Sequence, residues 1–565
     1  MKRDAIRIRG RIFLFAVFLF ALFILHRLVT LQVIRVEEFR ERATRQVQKY
    51  IEMDMPRAEI VDRHGSHLAV SVRCPSLFTF DPMKLKNQRR LAEQVSAISG
   101  APVKQILARL EGRTSFTWIA RKLPHTSMGA ACEIEATHDG CELMEEPGRA
   151  YPHGTLAANL VGCMGTDGGL AGLEHQWNDL LSGGKKRFLV MRDAVSTRLI
   201  PLDLVADLDP KPERVRISID AAIQYEAERL IQRAVDRYRA KLGVVVAMDP
   251  RTGDILAMAV RPTFDPNRPP SKLDRTWWNW AVCGAYEPGS TMKPITVAGA
   301  LEGRRVSPRD AVFVGDGTMA LGRKILRDDH PPLKTSYSVE EVVVHSSNVG
   351  AARIGMALGP ESLYRCFRRF GFGDRTPLRM EGEREGTLRE PSGWSSLSNA
   401  MLSFGQEVAV TPLQLAAAYC ILANGGLRVP PRLLPDAPVP PPERVLSART
   451  AQAMNRMLVA AVHEGTGKAA SIPGVTVAGK TGTAQKLGVL DARDCPRHTA
   501  FFVGYAPAEA PRIVCLVMVD EPNGAYYGGK VAAPIFSELM GYALKRQRSR
   551  IPREPFQMVF KGEQS

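Results

Sequence analysis

The first feature of the hydrophobic pattern is an uninterrupted apolar segment near the start of the chain. Every residue from Ile12 to Leu25 is apolar, and a mainly apolar pattern continues to Ile34. At about 1.5 Å per residue, a helix of this length crosses the roughly 30 Å hydrocarbon core of a bilayer. Its first part alone also has the length of the apolar region of a signal peptide, but no small-residue cleavage pattern follows. We therefore predict a transmembrane anchor over residues 12–34.

Basic residues precede this segment. Residues 1–11, MKRDAIRIRGR, contain five Lys or Arg and a single acidic residue, Asp4. Positive charge favours the cytoplasmic side of a span. No later segment reaches about 18 uninterrupted apolar residues, so we expect the rest of the chain on the other side as one soluble body. The expected location is the inner (cytoplasmic) membrane, single-pass, with a cytoplasmic N-terminus and a periplasmic or extracytoplasmic folded part.

After the anchor, the pattern is mixed over residues 35–235. Residues 56–71 alternate apolar and polar positions around a His-Gly step, which predicts a strand, a turn and a second strand. Residues 168–184 carry glycines around a short helical pattern. We assign 35–235 to one non-catalytic domain.

The character changes near residue 236. Residues 243–260 are two apolar runs about a Pro-Arg-Thr-Gly turn, which indicates a β-hairpin. A helix is expected to begin near Ser290. Three strand patterns follow at 475–485, 499–507 and 512–520, and then a helical pattern at 532–546.

This order predicts an α+β domain over 236–546, an antiparallel sheet with helices packed against it. The proline-rich segment 429–445 is expected to be a surface loop, and 547–565 a loosely held tail.

Composition narrows the classes of function. The 565 residues include 76 Lys and Arg against 59 Asp and Glu, a formal net charge of +17. The basic residues are dispersed and no nucleic-acid-binding motif is present, so we exclude a nucleic-acid partner. The nine cysteines lack metal-type spacing, and an odd number cannot all pair within one chain. Cys132 and Cys141 are close enough in sequence for a small disulfide loop, and free thiols are the alternative.

Candidate chemistry lies in three short motifs. Ser290 and Lys293 form an S-x-x-K pair at the predicted helix start, which alone is weak evidence because about one or two such pairs arise by chance. Ser346 and Asn348 supply S-x-N, and residues 480–483 supply K-T-G-T. This ordered set occurs in class A β-lactamases and penicillin-binding proteins.

Each residue of the first two motifs has a chemical reason to be there. A serine hydroxyl needs a base, and the amine of Lys293 can act as one only when neutral, which burial and the nearby charge of Lys480 would favour. Ser346 could relay the proton to the leaving amine, and Asn348 could position the lysine or the substrate amide. The alternatives are that Ser290 only caps a helix and that Asn348 is only a turn residue.

The third motif offers a site for a carboxylate. Lys480 and the hydroxyls of Thr481 and Thr483 make a cationic, donor-rich cradle, and Gly482 leaves room for a substrate backbone along the strand edge. An oxyanion would face the backbone N–H of Ser290 and a second donor from the strand carrying Thr483. The alternative is a solvated strand end.

Beyond these motifs, the chain resembles the class B penicillin-binding proteins, from the anchor to about residue 545. PRAEIVDRHGSHLAVS is similar to their R-G-x-I-x-D-R-N-G-x-x-L-A block, with Ala58 and His64 in place of glycine and asparagine. YPHGTLAANLVG and GLAGLEHQWNDLLSG look like their pedestal motifs, and YEPGSTMKP and VAGKTGTAQ match the transpeptidase domain. HSSNVGAARIG and YYGGKVAAPIF favour the septal over the elongation-type branch.

The resemblance implies a transmembrane helix, an elongated pedestal of the dimerisation type over 35–235 and a β-lactamase-like transpeptidase domain over 236–546. It implies that Ser290 attacks the D-Ala–D-Ala bond of a peptidoglycan stem peptide and that an amine of a neighbouring stem resolves the acyl-enzyme. It also implies inhibition by β-lactams and no metal or organic cofactor. Because we find no glycosyltransferase domain, the expected partners are a membrane glycosyltransferase of the FtsW type and other divisome proteins.

Rival functions remain at this stage. An elongation-type transpeptidase and a D,D-carboxypeptidase use the same chemistry with another location or acceptor. A β-lactamase needs neither the anchor nor the non-catalytic region. A β-lactam sensor would need further spans and an output domain, whereas a catalytically silent divisome scaffold could keep every motif.

Overall fold

The computed structural model describes residues 2–114, 116–192, 199–201, 213–269, 274–322, 324–439, 441–490 and 495–549. The chain divides into two compact units. The first comprises Met1–Arg57, Ser71–Gly148 and Ser182–Pro212, and the second comprises Ala58–Val70, Arg149–Leu181 and Glu213–Ser565. Segments 58–70, 149–181 and 213–235, which we assigned to the non-catalytic domain, thus belong to the same compact unit as the C-terminal part.

Helices and strands are distributed along the whole described chain. The α-helices, numbered in chain order, are α1 Lys2–Val29, α2 Val36–Val47, α3 Gln88–Ser99, α4 Val103–Leu110, α5 Met128–Thr137, α6 Ala158–Val161, α7 Gly172–Gln176, α8 Asn178–Leu181, α9 Ala221–Tyr238, α10 Trp280–Cys283, α11 Lys293–Glu302, α12 Val339–Val344, α13 Asn348–Leu358, α14 Pro360–Arg369, α15 Ser398–Ser403, α16 Pro412–Ala423, α17 Ala448–His463, α18 Gly528–Val531 and α19 Ala533–Ser549.

The β-strands, numbered in the same way, are β1 Gln48–Asp54, β2 Glu59–Val61, β3 His67–Thr79, β4 Thr117–Ala120, β5 Glu142–Ala150, β6 Cys163–Met164, β7 Gly169–Ala171, β8 Lys185–Arg192, β9 Leu199–Pro201, β10 Arg214–Arg216, β11 Leu242–Met248, β12 Ile255–Arg261, β13 Ala311–Phe313, β14 Thr318–Leu321, β15 Lys324–Arg327, β16 Ser336–Ser338, β17 Leu427–Arg428, β18 Glu443–Arg444, β19 Ala478–Leu490, β20 Pro496–Ala506 and β21 Ile513–Asp520.

The apolar segment near the N-terminus is helical, as predicted. α1 continues into a π-helical turn, Thr30–Ile34, and Ile6–Ile34 has the length and composition to cross a membrane. Among the described residues, no other helix meets both criteria.

The first unit contains a small core of its own. α3, α4 and α5 pack with β4 through Leu91, Ile106, Ile134 and Ile119, all of which are buried. Cys141 belongs to this core and is a free thiol whose pKa is raised to about 12 by burial. Cys132, with which it could have formed a small disulfide loop, is also a free thiol and is exposed.

A five-stranded antiparallel sheet forms the centre of the second unit, in the order β12-β11-β21-β20-β19. Successive residues of a strand point to opposite faces. Val244 accordingly packs with Leu413 of α16 on one face, whereas Val245 packs with Ile231 of α9 and Phe536 of α19 on the other. The sheet therefore lies between two helical layers, and β19 is one of its two edges.

The predicted elements of this unit are confirmed. The hairpin is β11 and β12, the three later strands are β19, β20 and β21, and the final helix is α19. α19 continues to Ser549, past the predicted boundary at 546, because its apolar face stays buried as far as Leu544 and the last turn carries on from it. Residues 550–565 of the predicted tail lie outside the described residues. The proline-rich segment is mostly irregular and ends in β18, which pairs with β17.

The strand–turn–strand prediction at 56–71 is also confirmed within the second unit. Ile60 of β2 pairs with Ala69 of β3, and Asp62 closes the turn by accepting hydrogen bonds from the backbone N–H groups of His64 and Ser66, both at 2.8 Å. The His64 side chain, in place of the asparagine of the resembling family, contacts the Asp220 carboxylate at 3.0 Å.

Candidate active site

The turn that carries Ser290 is a short 3₁₀ helix, Gly289–Thr291, which leads into α11. The helix start was therefore predicted correctly, although Ser290 lies in the tighter turn and the α-helix begins at Lys293. Gly289 has φ +54° and its N–H donates to the Gly405 carbonyl at 3.1 Å. The first N–H groups of a helix lack intrahelical partners, so the half-buried Ser290 sits where backbone donors are available.

Lys293 is completely buried in the first turn of α11. Its Nζ donates to the backbone carbonyl of Ser346 and contacts Ser346 Oγ at 3.2 Å. Among the described residues, no direct hydrogen bond joins this amine to Ser290. The structure thus brings together the lysine of the first motif and the serine of the second, with Ser290 adjacent on the same turn.

Burial lowers the pKa of Lys293 to about 8, and the carboxylates of Asp329 and Asp328 oppose this shift. We expected the charge of Lys480 to contribute to the lowering. The repulsion between the two charges is mutual, and it is seen at Lys480, whose pKa lies well below its ordinary value, first because of burial and then because of Lys293. With a pKa of about 8, part of the Lys293 population is neutral near neutral pH.

Ser346 occupies the loop between α12 and α13 with φ +60°, a conformation that is unusual for a residue with a side chain. Asp328, which directly follows β15, holds the start of α13 in place. Its carboxylate accepts from Ser347 Oγ at 2.8 Å and from the Val349 N–H at 2.9 Å. These contacts to Ser347 and Val349 therefore help to keep Ser346 in its strained conformation.

Asn348 makes a contact that we did not predict. Its side-chain nitrogen donates to the backbone carbonyl of Arg327 at 2.8 Å. Arg327 ends β15, so this hydrogen bond ties the S-x-N loop to the β14–β15 hairpin and not to Lys293. Nothing in the sequence singled out residues 327–329, because an Arg-Asp-Asp run is also an ordinary surface sequence.

The third motif lies on the edge strand β19. Lys480 is only 1% exposed, and its Nζ lies 3.5 Å from Thr481 Oγ1 and 3.4 Å from the Thr481 carbonyl. The Nζ is also 3.5 Å from Thr466 Oγ1, and the two threonine hydroxyls are 2.6 Å apart. Thr466 comes from the loop after α17 and was not predicted, since GTG resembles any turn.

Gly482 brings this strand against the turn of Ser290. A Cβ on Gly482 would lie 2.7 Å from Thr291 Cγ2 and 2.9 Å from the Pro288 carbonyl oxygen. A side chain there would separate the strand from the turn, which is a different reason for glycine from the substrate clearance that we expected.

Thr483 follows on the same strand. Its Oγ1 accepts a hydrogen bond from the Gly528 N–H at 3.1 Å, and a Cβ on Gly289 would lie 3.2 Å from its carbonyl oxygen. The backbone of Thr483 and the turn of Ser290 are therefore neighbours, as the oxyanion hypothesis requires.

Comparisons with known proteins cover both parts of the chain. The family model for the penicillin-binding protein transpeptidase domain matches residues 243–541, and that for the penicillin-binding protein dimerisation domain matches residues 52–199. The chain is 33% identical over 546 residues to the probable peptidoglycan D,D-transpeptidase PenA of Neisseria meningitidis, covering 95% of this chain and 92% of the relative. The chain belongs to the class B penicillin-binding proteins.

Two further comparisons agree with this family. The penicillin-binding protein is 30% identical over 531 residues to the peptidoglycan D,D-transpeptidase FtsI of Escherichia coli, covering 92% of this chain and 89% of the relative. The solved structure of penicillin-binding protein 3 from Mycobacterium tuberculosis in complex with aztreonam matches with a TM-score of 0.65 and 28% identity, covering 89% of this chain and 98% of that chain.

Membership of the family fixes the general activity. This class B penicillin-binding protein is a serine-type peptidoglycan D,D-transpeptidase whose substrate is peptidoglycan and which binds β-lactams. The α+β fold and the two-domain architecture agree with the predictions from the sequence.

Proposed function

We propose that this penicillin-binding protein is a septal D,D-transpeptidase that forms its acyl-enzyme on Ser290. The observation that carries the chemical part is the buried amine of Lys293, which lies one turn from Ser290 and contacts Ser346. A buried amine with a lowered pKa can accept a proton near neutral pH.

The acylation step follows from these positions. Neutral Lys293 takes the proton of Ser290 Oγ as that oxygen bonds to the carbonyl carbon of the penultimate D-Ala. The oxyanion faces backbone N–H groups at Ser290 and on the strand at Thr483. As the C–N bond breaks, the proton passes from Lys293 through Ser346 Oγ to the leaving D-Ala amine. An amine of a second stem peptide then attacks the ester by the reverse proton path and forms the 4→3 cross-link.

The donor peptide binds along β19. Its backbone adds to this edge strand, which has no neighbour on its outer side in the described sheet. Its C-terminal carboxylate meets Lys480, Thr481 and Thr483. Although burial lowers the pKa of Lys480, a bound carboxylate favours the ammonium form again.

The cellular part of the proposal depends on the N-terminal helix and on the sequence blocks. Residues 12–34, within the apolar helix Ile6–Ile34, act as a single-pass anchor in the inner membrane, with residues 1–11 in the cytoplasm and the catalytic domain outside. The partners are the lipid bilayer, a membrane glycosyltransferase of the FtsW type and other divisome proteins. The blocks at 345–355 and 526–536 support the septal branch.

Intact-mass measurement tests the chemistry. The full chain in detergent is mixed with a penicillin and followed over hours, and a long-lived adduct on Ser290 is the expected result. An adduct that vanishes within seconds indicates a β-lactamase, and no adduct on folded protein indicates a scaffold. Incubation with a donor peptide and an amine acceptor then distinguishes cross-linked dimers from the hydrolysis product of a D,D-carboxypeptidase.

Depletion in the native cell tests the septal assignment. Loss of a septal enzyme blocks division while elongation continues, so filamentous cells are expected. Round, swollen cells would contradict the septal role and assign the protein to the elongation branch.

A further inference from the structure

Thr466 lies beside the third motif although it belongs to no motif. It sits in the loop between α17 and β19, with its side chain exposed. Its Oγ1 is 2.6 Å from Thr481 Oγ1 and 3.5 Å from Lys480 Nζ. The two hydroxyls and the amine therefore form one hydrogen-bonded cluster at the proposed carboxylate site beside Lys480 and Thr481, which we call the cleft.

The protons of this group can be assigned. An ammonium only donates, whereas a hydroxyl has one proton and two lone pairs. When Lys480 is charged, both hydroxyls can accept from it, and the short contact between them needs one to donate to the other. Water can satisfy the remaining lone pair of the exposed Thr466 but not that of the buried Thr481. Thr466 thus donates to Thr481, and the proton of Thr481 is left for an acceptor in the cleft.

The backbone of α18 holds this group in place. A Cβ on Gly529 would lie 2.7 Å from the Thr466 carbonyl oxygen and 3.6 Å from Thr481 Cγ2. The preceding Gly528 donates its N–H to Thr483 Oγ1. One glycine pair therefore lies close to Thr466, Thr481 and Thr483.

From these contacts we propose that Thr466 is a positioning residue for recognition of the donor's C-terminal carboxylate. It directs the hydroxyl proton of Thr481 toward that carboxylate and supplies Lys480 with an acceptor. This inference rests on the proposed function, because it takes the cleft beside Lys480 and Thr481 as the carboxylate site.

The test compares two donors that differ only in the carboxylate. One is an acyl-D-Ala-D-thiolactate thioester with a free carboxylate, and the other is its C-terminal methyl ester. Full-length protein in detergent is used as wild type, Thr466→Val, Thr466→Ser and Lys468→Gln. Thr466→Val removes the hydroxyl at similar size, Thr466→Ser retains it, and Lys468→Gln alters an exposed neighbour in the same loop.

Thr466→Val should lower kcat/KM for the carboxylate donor about tenfold, the order expected for one hydrogen bond to a charged group, through a higher KM with kcat nearly unchanged. The methyl ester should show little change, and Thr466→Ser and Lys468→Gln should match the wild type. Equal loss on both donors, a loss in kcat alone, or no loss would overturn the inference. Wild-type protein that forms no adduct on Ser290 would overturn the proposed function, and this inference with it.

Discussion

Lys293 and Lys480 are equally hidden from water, at 0% and 1% exposure, yet they lie in different surroundings. Lys293 is on a helix and makes its hydrogen bonds to Ser346. Lys480 is on an edge strand, and its hydrogen bonds to described residues are long, at 3.4–3.5 Å, to Thr466 and Thr481. Burial lowers the pKa of both amines, and two nearby carboxylates moderate the effect at Lys293.

The difference shows that burial alone does not decide the role of a lysine. Lys293, with a pKa of about 8, changes its charge near neutral pH, and a strong acceptor carbonyl fixes its amine one turn from Ser290. Such a group suits proton transfer. The N–H groups of Lys480 make long hydrogen bonds at the cleft, so they can turn to a carboxylate that arrives with the substrate. The predictions below test whether the two regions divide the work in this way.

The largest effect is expected from Ser290→Ala, which removes the nucleophile. Covalent labelling by a penicillin should be abolished, because the neighbouring hydroxyl of Thr291 is buried and donates to the Pro288 carbonyl, so it cannot take the place of Ser290. Intact mass measures the adduct, and circular dichroism should show a fold and a melting temperature close to those of the wild type. Undiminished labelling in this variant would refute the assignment of Ser290.

Lys293→Met should reduce the acylation rate constant by about 10²–10⁴-fold, the usual contribution of a positioned base. Stopped-flow acylation with a chromogenic β-lactam measures the rate. Lys480→Met should instead act mainly through weaker binding of the carboxylate. The comparison between the two regions would be wrong if both variants lost rate and binding in the same proportion.

The same Lys293→Met variant has a stability signature with a defined pH window. The folded-state pKa is about 8 against an ordinary value of 10.5, so the unfolded state binds the proton more tightly. The wild type therefore bears the full cost of the buried amine below pH 8, and its stability rises between about pH 8 and 10.5. Lys293→Met should have the higher melting temperature at pH 7, by a margin that shrinks across this window.

Acylation by the wild type should also follow the titration of Lys293. Because only the neutral amine accepts a proton, the rate constant should fall about tenfold per pH unit below pH 8 and level off above it. Of the two carboxylates that raise this pKa, Asp329 has the larger effect, so Asp329→Asn should move the inflection to lower pH. Glu361→Gln, on the exposed side of α14, is the matched control and should leave the profile unchanged. An inflection that stays in place in Asp329→Asn would mean that this carboxylate does not act on the amine.

Much of the fold was predictable because its elements have simple patterns. β11 and β12 are runs of apolar residues on either side of a turn sequence, and every residue of both strands is buried. The order of the three motifs likewise predicted which segments meet in the cleft. The pairing of Lys293 with Ser346, however, depends on how α11 and α13 pack, and motif spacing carries no distances.

The residues that sequence reasoning missed share one property. Asp328, Thr466 and Tyr419 act on the motifs from separate segments, through contacts that only the tertiary fold creates. Asp and Thr in loops, and Tyr in an apolar helix, have many ordinary uses, so the sequence gives no signal for them.

The smallest effect on acylation is expected from Tyr419, whose hydroxyl contacts the turn of Ser290 and not the Lys480 region. The buried hydroxyl of Tyr419 donates to the Thr291 carbonyl at 2.9 Å, directly behind Ser290. Tyr419→Phe leaves that carbonyl without this donor, which costs about 1–3 kcal/mol of folding free energy. Thermal unfolding should show a decrease of several degrees.

Tyr505→Phe is the matched control for Tyr419→Phe. Tyr505, on β20, is equally buried, and its hydroxyl donates to Asn455 Oδ1 at 2.9 Å and not to the turn of Ser290. Both variants should therefore lose similar stability, but only Tyr419→Phe should also slow acylation, by a few-fold, because the remaining bond from Thr291 Oγ1 to the Pro288 carbonyl keeps most of the turn in place. Equal slowing in the two variants would show that acylation responds to global stability and that the turn of Ser290 does not depend on this hydrogen bond.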